Sequence, residues 1–483
     1  MARKWFASWI VIIMVVEGLS WLSYGYPSLR SIFTLVVLIV VLLASCYRLQ
    51  WGIAAVLAEL VVGSQGYLLA ITWPLTISLR LGLFAVVGLA TLLWIVRDRS
   101  IAVLHTRYWK WYLALVGFLG LAVLTALWHG NTLIHIFLDA NGYLFIAMIV
   151  PFTQALRTKA DIQQVGLAML AALTMLVVQT VAILFVFSHL AAFQYYLPEL
   201  YRWLRDFRLA EITMQDNHFT RVFFQSHLYV LFGFILASCS FILKRSIRWS
   251  AALLGTTVTL IFISYSRSFW VATTLVLGVL IMLAHQQRRH WQLIGTTLVS
   301  MAIGYVVVLG IINLPLFGSG AAVDIGDLLT DRTKDATTDI GGGSRMALLG
   351  PLAKATLLHP LLGSGFGTTV TYASLDQRSI EAGNDGLYTT YAFEWGYLDL
   401  WLKLGLVGTI LYLSIIGGLV TRLWYQQRSA TLLTDRVYLL TAAVGTVALG
   451  IVHLLTPYLN HPLGIGWIVL MTSIAAVYDR SQS

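Results

Sequence analysis

Charge is what this chain has least of. Asp, Glu, Lys and Arg make up 11% of its 483 residues, against about 25% in a soluble domain. So few charges cannot cover the surface of a water-soluble globule of this size. Cysteine is almost absent: Cys46 and Cys239 both lie in apolar runs, so neither a disulfide framework nor a zinc-type Cys/His cluster can be read from the spacing. Acids are scarcer than bases, 21 against 31, which leaves a net charge of +10. A basic excess can indicate nucleic acid. In so apolar a chain, Lys and Arg gathering in cytoplasmic loops account for it, and no nucleic-acid partner is expected. What is abundant is hydrophobicity, at 59% of residues with a mean hydropathy of +0.81. That excludes intrinsic disorder and points to one polytopic membrane domain, since about 20 apolar residues span a bilayer.

Fourteen apolar stretches read as spans, near 5–23, 28–46, 51–72, 76–96, 108–128, 132–155, 164–188, 222–243, 247–265, 269–285, 291–313, 396–421, 436–456 and 462–478. The third and the last two are the weakest, so the expected fold is all-α with 12 to 14 transmembrane helices. The start Met1-Ala-Arg-Lys reads as the lead-in to a retained first helix, because no Ala-x-Ala-like cleavage site follows. With a cytoplasmic N-terminus, the inner segments hold eighteen of the 31 basic residues and four acids, Asp98, Asp161, Asp435 and Asp479. Every short inner loop is then basic. The positive-inside bias supports this orientation and an even number of crossings, with both termini cytoplasmic. The chain divides into 1–313, eleven helices with an outer loop near 189–221; 314–395, one large outer lobe with short helices; and 396–483, the C-terminal helices. Within the first outer loop, Trp203, Leu204 and Phe207 among Arg202, Arg205 and Arg208 suggest an interfacial amphipathic helix.

Chemistry is expected in the outer segments. Asp327, Asp331, Asp335 and Asp339 recur every four residues after Asp324, as on one helix face. A solvated acidic face explains them better than a cation site, which needs converging oxygens with tight local spacing. Ser344 reads as the N-cap of a short helix stopped by Pro360. That puts Arg345 in the first turn, where free backbone N–H groups and a guanidinium together would suit a phosphate; a plain surface arginine is the simpler alternative. Gly363-Ser-Gly365-Phe-Gly permits close backbone approach but is neither a P-loop nor a Rossmann turn. Arg267, in Ser266-Arg267-Ser268, Arg221 and Arg80 all fall at outer ends of spans. Such charges are costly near hydrocarbon and face a cavity or partner, so several at one level suggest an anionic ligand. Glu394 sits at the mouth of the twelfth span in an aromatic, mostly apolar setting that would raise its pKa toward the range of a general base; a helix-capping carboxylate is the alternative.

Taken in order, these segments resemble the O-antigen ligase and O-antigen polymerase superfamily of bacterial membrane glycosyltransferases. The resemblance covers roughly 215–425. It is carried by Ser266-Arg267-Ser268, by Ser344-Arg345 leading to His359-Pro-Leu-Leu-Gly-Ser-Gly-Phe-Gly, and by Tyr397-Leu-Asp-Leu-Trp-Leu-Lys-Leu-Gly-Leu-Val-Gly. It implies a GT-C-like arrangement in the bacterial cytoplasmic membrane, with the active site on the outer face. The donor would be a polyprenyl-diphosphate-linked glycan and the acceptor a glycan or glycolipid hydroxyl. Arg267 and Arg345, with Arg221, would hold the diphosphate. Arg80, Ser268, Gly363, Gly365 and Tyr397 would support them. Where the family's ligases usually carry a His-Asn pair, this chain has Glu394-Trp395, so the base would be a carboxylate and a polymerase or another ligase is favoured over a lipid-A-core ligase. No metal or other cofactor is expected. The alternatives are a lipid-linked oligosaccharide flippase, or a metal-dependent oligosaccharyltransferase using the Asp324–Asp339 stretch.

Overall fold

The computed structural model describes residues 2–72, 76–214, 219–314, 340–374 and 386–481. The five aspartates at 324–339 lie outside them. The described helices are α1 (Ala2–Gly25), α2 (Pro27–Tyr47), α3 (Leu49–Val62), α4 (Leu79–Asp98), α5 (Trp109–Trp128), α6 (Leu133–Ala140), α7 (Ile149–Ala155), α8 (Lys159–Ser188), α9 (Leu190–Phe193) and α10 (Leu197–Asp206). The second half adds α11 (Leu228–Ile242), α12 (Ile247–Ser264), α13 (Arg267–Gln286), α14 (His290–Asn313), α15 (Ile340–Leu358), α16 (Gly396–Ser429), α17 (Leu433–His453) and α18 (Pro462–Arg480). Three two-stranded antiparallel hairpins interrupt the helices: β1–β2 (Ala70–Ile71, Ile77–Ser78), β3–β4 (Glu211–Met214, Thr220–Phe223) and β5–β6 (Val370–Ala373, Leu387–Thr390). Among the described residues thirteen helical stretches are long and apolar enough to cross a membrane, so the chain is an all-α polytopic membrane protein.

The fourteenth expected crossing is the third one, and it differs from the expectation. α3 stops at Val62 rather than running to residue 72, because the turn Gly63-Ser-Gln-Gly66 breaks it. Fourteen residues rise about 21 Å, short of a full hydrocarbon core, yet α3 is buried almost throughout. It packs inside the bundle, chiefly against α8, α2 and α4, and α11 and α18 are the two most enclosed spans. α1, α2 and α14 form the periphery, with many exposed apolar side chains. The crossing near 132–155 is also broken, with α6 and α7 joined by a 3₁₀ segment, Asn141–Met148.

Charge divides between the two ends of the bundle. At one end Arg157 pairs with Asp98, Lys159 with Asp435 at 2.7 Å, and Arg422 with Asp479. α8 starts there on a capping box formed by Thr158 and Asp161, which satisfies orphan N–H groups. The other end carries all three hairpins, α10, α15 and the longer loops. α10 is amphipathic. Its Trp203 meets Trp21 edge to face and donates to Ser20 Oγ at 3.1 Å, and Phe207 packs on Tyr24. The expected apolar face therefore lies on α1.

α16 is bent at Gly405, which has left-handed φ of 67°. A break inside a membrane helix frees backbone groups that must find partners within the protein. The loop after α15 supplies them: Leu406 N–H donates to Pro360 O at 2.9 Å, and Ser364 N–H to Leu402 O at 2.7 Å. Gly363 and Gly405 press backbone to backbone. A Cβ on Gly363 would stand 2.5 Å from Gly405 N, and one on Gly405 2.2 Å from Leu361 O. The glycine-rich motif is thus a socket that seats the outer loop in the helix break.

Candidate active site

At the hairpin end a cavity of about 1890 Å³ opens between α4, α6, α15, the β5–β6 hairpin and the connection from α17 to α18. That is larger than the few hundred to one thousand Å³ of an ordinary small-molecule pocket. Arg80, Asp139, Arg208, Arg345, Glu394, Lys403, Asn460 and His461 all line it.

Arg345 and Glu394, 49 residues apart in sequence, are in direct contact as an ion pair between Arg345 Nε and Glu394 Oε2. A small core places them. Leu348 and Leu352 of α15, Val370 of β5, Phe393 and Leu402 bury one another, and Trp395 Nε1–H donates to Arg345 O at 2.9 Å. Two details differ from the sequence expectation. The helix carrying Arg345 begins at Ile340, not at Ser344, so Arg345 lies in its second turn and not at a free N-terminus. Glu394 is not in an apolar setting: its side chain is 51% exposed and Arg345's 43%. It stands just before the N-cap, Trp395, which makes no side-chain capping bond.

Arg80 lines the cavity but is already engaged. It makes a bidentate pair with Glu59 at 2.9 and 3.1 Å and donates to Ser64 O at 2.8 Å. Both side chains are buried, so this pair ties α4 to α3. Arg208, named in the sequence only as part of an amphipathic helix, faces the same cavity. It is exposed, and its guanidinium lies 4.9 Å from the Tyr67 ring centroid. Its backbone is left-handed, φ 52°, uncommon for a residue with a side chain. Among the described residues no carboxylate pairs with it.

Arg267 and Arg221 sit in an adjoining corner and do not appear in the described lining. Arg267 is the first residue of α13. Arg221, on β4, donates to Ser264 O at 3.0 Å, stands 3.8 Å from Glu211 and lies over Phe223. A ring chain, Phe223 to Phe269 at 6.0 Å and Phe269 to Tyr458 at 6.1 Å, joins this corner to the cavity wall. Ser268 is buried with its hydroxyl 3.0 Å from Ser266 Oγ. Tyr397 donates to Gly450 O at 2.7 Å, fastening α16 to α17. Gly363 serves the socket, Gly365 presses on the backbone of α5 at Ala122 and Ala126, and both are likewise absent from the described lining.

The floor was not anticipated. Lys403 Nζ lies 2.5 Å from Asp139 Oδ1 and 2.5 Å from Asp399 Oδ1, with all three side chains buried. Asn460 Nδ2 donates to Asp399 Oδ2 at 2.5 Å, and Gly367 N–H to Asp139 Oδ2 at 2.8 Å. This network links α6, α16, the glycine loop and the α17–α18 connection. Removing one member of a buried charge group costs about 3–5 kcal/mol. Lys403→Met, which leaves two carboxylates buried together, should therefore lower thermal stability in detergent sharply, and adding Asp139→Asn should restore part of it. An unchanged melting temperature in the single variant would contradict that role. The sequence did carry a signal: Asp399 and Lys403 are i and i+4 on one helix face.

His461 is the cavity's imidazole. Burial, with the nearby Arg80 guanidinium second, lowers its pKa to about 3. It is therefore neutral, with Nδ1 accepting from Leu463 N–H at 3.3 Å, and is a weak proton acceptor beside a carboxylate.

Residues 251–413 match the family described as O-Antigen ligase. That stretch begins in α12, contains Arg267, Arg345, Glu394 and Lys403, and ends past the break in α16. No curated protein matches the chain.

Proposed function

From a chain similar to O-antigen ligases across the segment that brings Arg345 onto Glu394, we propose a glycan transferase whose donor is a polyprenyl-diphosphate-linked glycan. The observation that supports it best is that contact: a guanidinium suited to phosphate touching a carboxylate suited to proton transfer, inside one large cavity. The basic loops gather at the opposite end of the bundle. By the positive-inside bias, the cavity then opens on the outer face of the membrane; α3, though short, leads from Arg48 at the basic end to the β1–β2 hairpin at the other, so the passages stay even in number and both termini are cytoplasmic.

In this reading the donor's lipid tail lies among the spans and its diphosphate meets Arg345 and Arg208. Arg267 and Arg221, in the adjoining corner, extend the positive field toward the membrane. A diphosphate competes with Glu394 for Arg345, so donor binding releases the carboxylate into the cavity. Glu394 then takes the proton from an acceptor hydroxyl. The oxygen attacks the anomeric carbon from the face opposite the diphosphate, and the C–O bond to phosphate breaks. Its electron pair leaves with the diphosphate, where the arginines stabilise the charge as it develops. A single displacement inverts the configuration.

Fixed guanidinium groups take the part a divalent metal would otherwise play. Transfer should therefore persist in excess EDTA, measured as product formed by purified protein in detergent. Loss of activity restored by added Mg²⁺ or Mn²⁺ would favour a metal-dependent transferase instead. The same assay separates transfer from transport, because detergent leaves no barrier to cross: new glycosidic product excludes a pure flippase.

A further inference from the structure

A diphosphate does not use the whole cavity, and the rest of its lining has a distinct character. Phe393 lies next to Glu394 in the chain, and its ring centroid is 5.5 Å from Lys403 Nζ. Tyr391 stacks on His135, ring centroids 4.9 Å apart and planes 27° from parallel. His135 stands one turn before Asp139 on α6, so the Tyr391 ring, Asp139 and Lys403 face one region of the cavity. Asn460 completes it. Its Nδ2 is taken by Asp399, while its Oδ1 has no donor among the described residues. Lys403 carries three N–H donors, two of which face carboxylates. Asp139 is fixed at both oxygens by Lys403 and Gly367.

We propose that this floor is the acceptor subsite, and that it takes a neutral sugar ring. This rests on the transferase reading above and names the second substrate's place in it. One face of Tyr391 is covered by His135, and the other is available to the apolar C–H face of a pyranose. Asn460 Oδ1 and the remaining Lys403 N–H are oriented for ring hydroxyls or an acetamido group by buried partners they cannot leave cheaply. The floor's cation, Lys403, is already shared by Asp139 and Asp399, so among the described residues no unpaired cation is left on the floor to receive a carboxylate. A uronic acid would bring a further carboxylate against it, and like charges at such range repel strongly in a poorly solvated site. An acceptor hydroxyl held here lies beside the segment that carries Glu394.

The test uses full-length protein in detergent and p-nitrophenyl glycosides as probes: a β-galactoside, an N-acetyl-β-glucosaminide and a β-glucuronide, with binding read by saturation-transfer NMR. Ring-proton signals are expected from one or both neutral glycosides and at least fivefold less from the glucuronide. They should fall at least fivefold in Tyr391→Ala and in Asn460→Ala, and be retained in Tyr391→Phe, which keeps the ring. Melting temperatures of the variants report folding, and Tyr391→Phe against Tyr391→Ala holds the test open should Asn460→Ala unfold. No binding of any probe, equal binding of the glucuronide, or binding undiminished in folded Tyr391→Ala would overturn the subsite. Failure of the transferase reading shows differently, as glycoside binding that depends on Tyr391 in a protein that makes no product from lipid-linked glycan.

Discussion

Arg345→Ala is expected to lower the rate of glycan transfer by a hundredfold or more while leaving the fold intact. The two halves of that statement rest on different magnitudes. The Arg345–Glu394 pair is about half exposed, and exposed pairs contribute about 0–1 kcal/mol to stability. Removing a group that stabilises charge developing in a transition state costs about 2.7–4 kcal/mol, or 10²–10³ in rate. The loss should appear in turnover, with little change in melting temperature. Arg345→Lys should fall between, because an ammonium keeps the charge but not the planar two-pronged contact. The check is steady-state transfer by purified variants beside their thermal unfolding curves. Parallel loss of activity and stability would mean that Arg345 is a structural residue. Turnover within threefold of wild type would remove it from the site.

Glu394→Gln separates chemistry from binding. The amide has nearly the same shape and cannot take a proton, so transfer should fall by about 10²–10⁴, the range for a lost general base. Donor binding should not fall with it. In the wild type the carboxylate holds Arg345 before the donor arrives, whereas a neutral amide holds it more weakly. The variant is expected to bind lipid diphosphate several-fold more tightly, measured by displacement of a fluorescent polyprenyl diphosphate. A weakened donor, or unchanged turnover, would show that Glu394 is not the base. His461 offers no substitute, because burial keeps it a poor proton acceptor.

The sequence made the bundle legible because hydrocarbon imposes a length and a polarity on every span. Thirteen of the fourteen stretches proposed from it are long and apolar enough to cross. α3 misled because apolar composition continues past Val62 while the Gly63–Gly66 turn ends the helix, and composition does not register a turn inside an apolar run. Arg345 and Glu394 were readable as candidates because charged groups beside spans are rare enough to stand out. Their contact was not readable, since it depends on a small core assembled from α15, β5 and the approach to α16. Arg208 was hidden by its neighbours: the sequence reads it on one amphipathic helix with Arg202 and Arg205, whereas α10 ends at Asp206 and Arg208 follows it with a left-handed backbone. Asp139 and Asn460 were missed for a related reason. Asp139 lies 264 residues from Lys403 and Asn460 61 from Asp399, the groups that hold them, and distance in sequence leaves no periodic trace.

The most direct measurement is transfer by the purified full-length protein in detergent, with lipid-linked glycan taken from host cells that lack this gene as donor. The configuration of the new glycosidic bond is read by NMR. The wild type should form a bond of inverted configuration, and Glu394→Gln should form almost none while still binding the donor. A retained configuration, or equal product from the two proteins, would contradict a single displacement driven by Glu394 against a diphosphate held on Arg345.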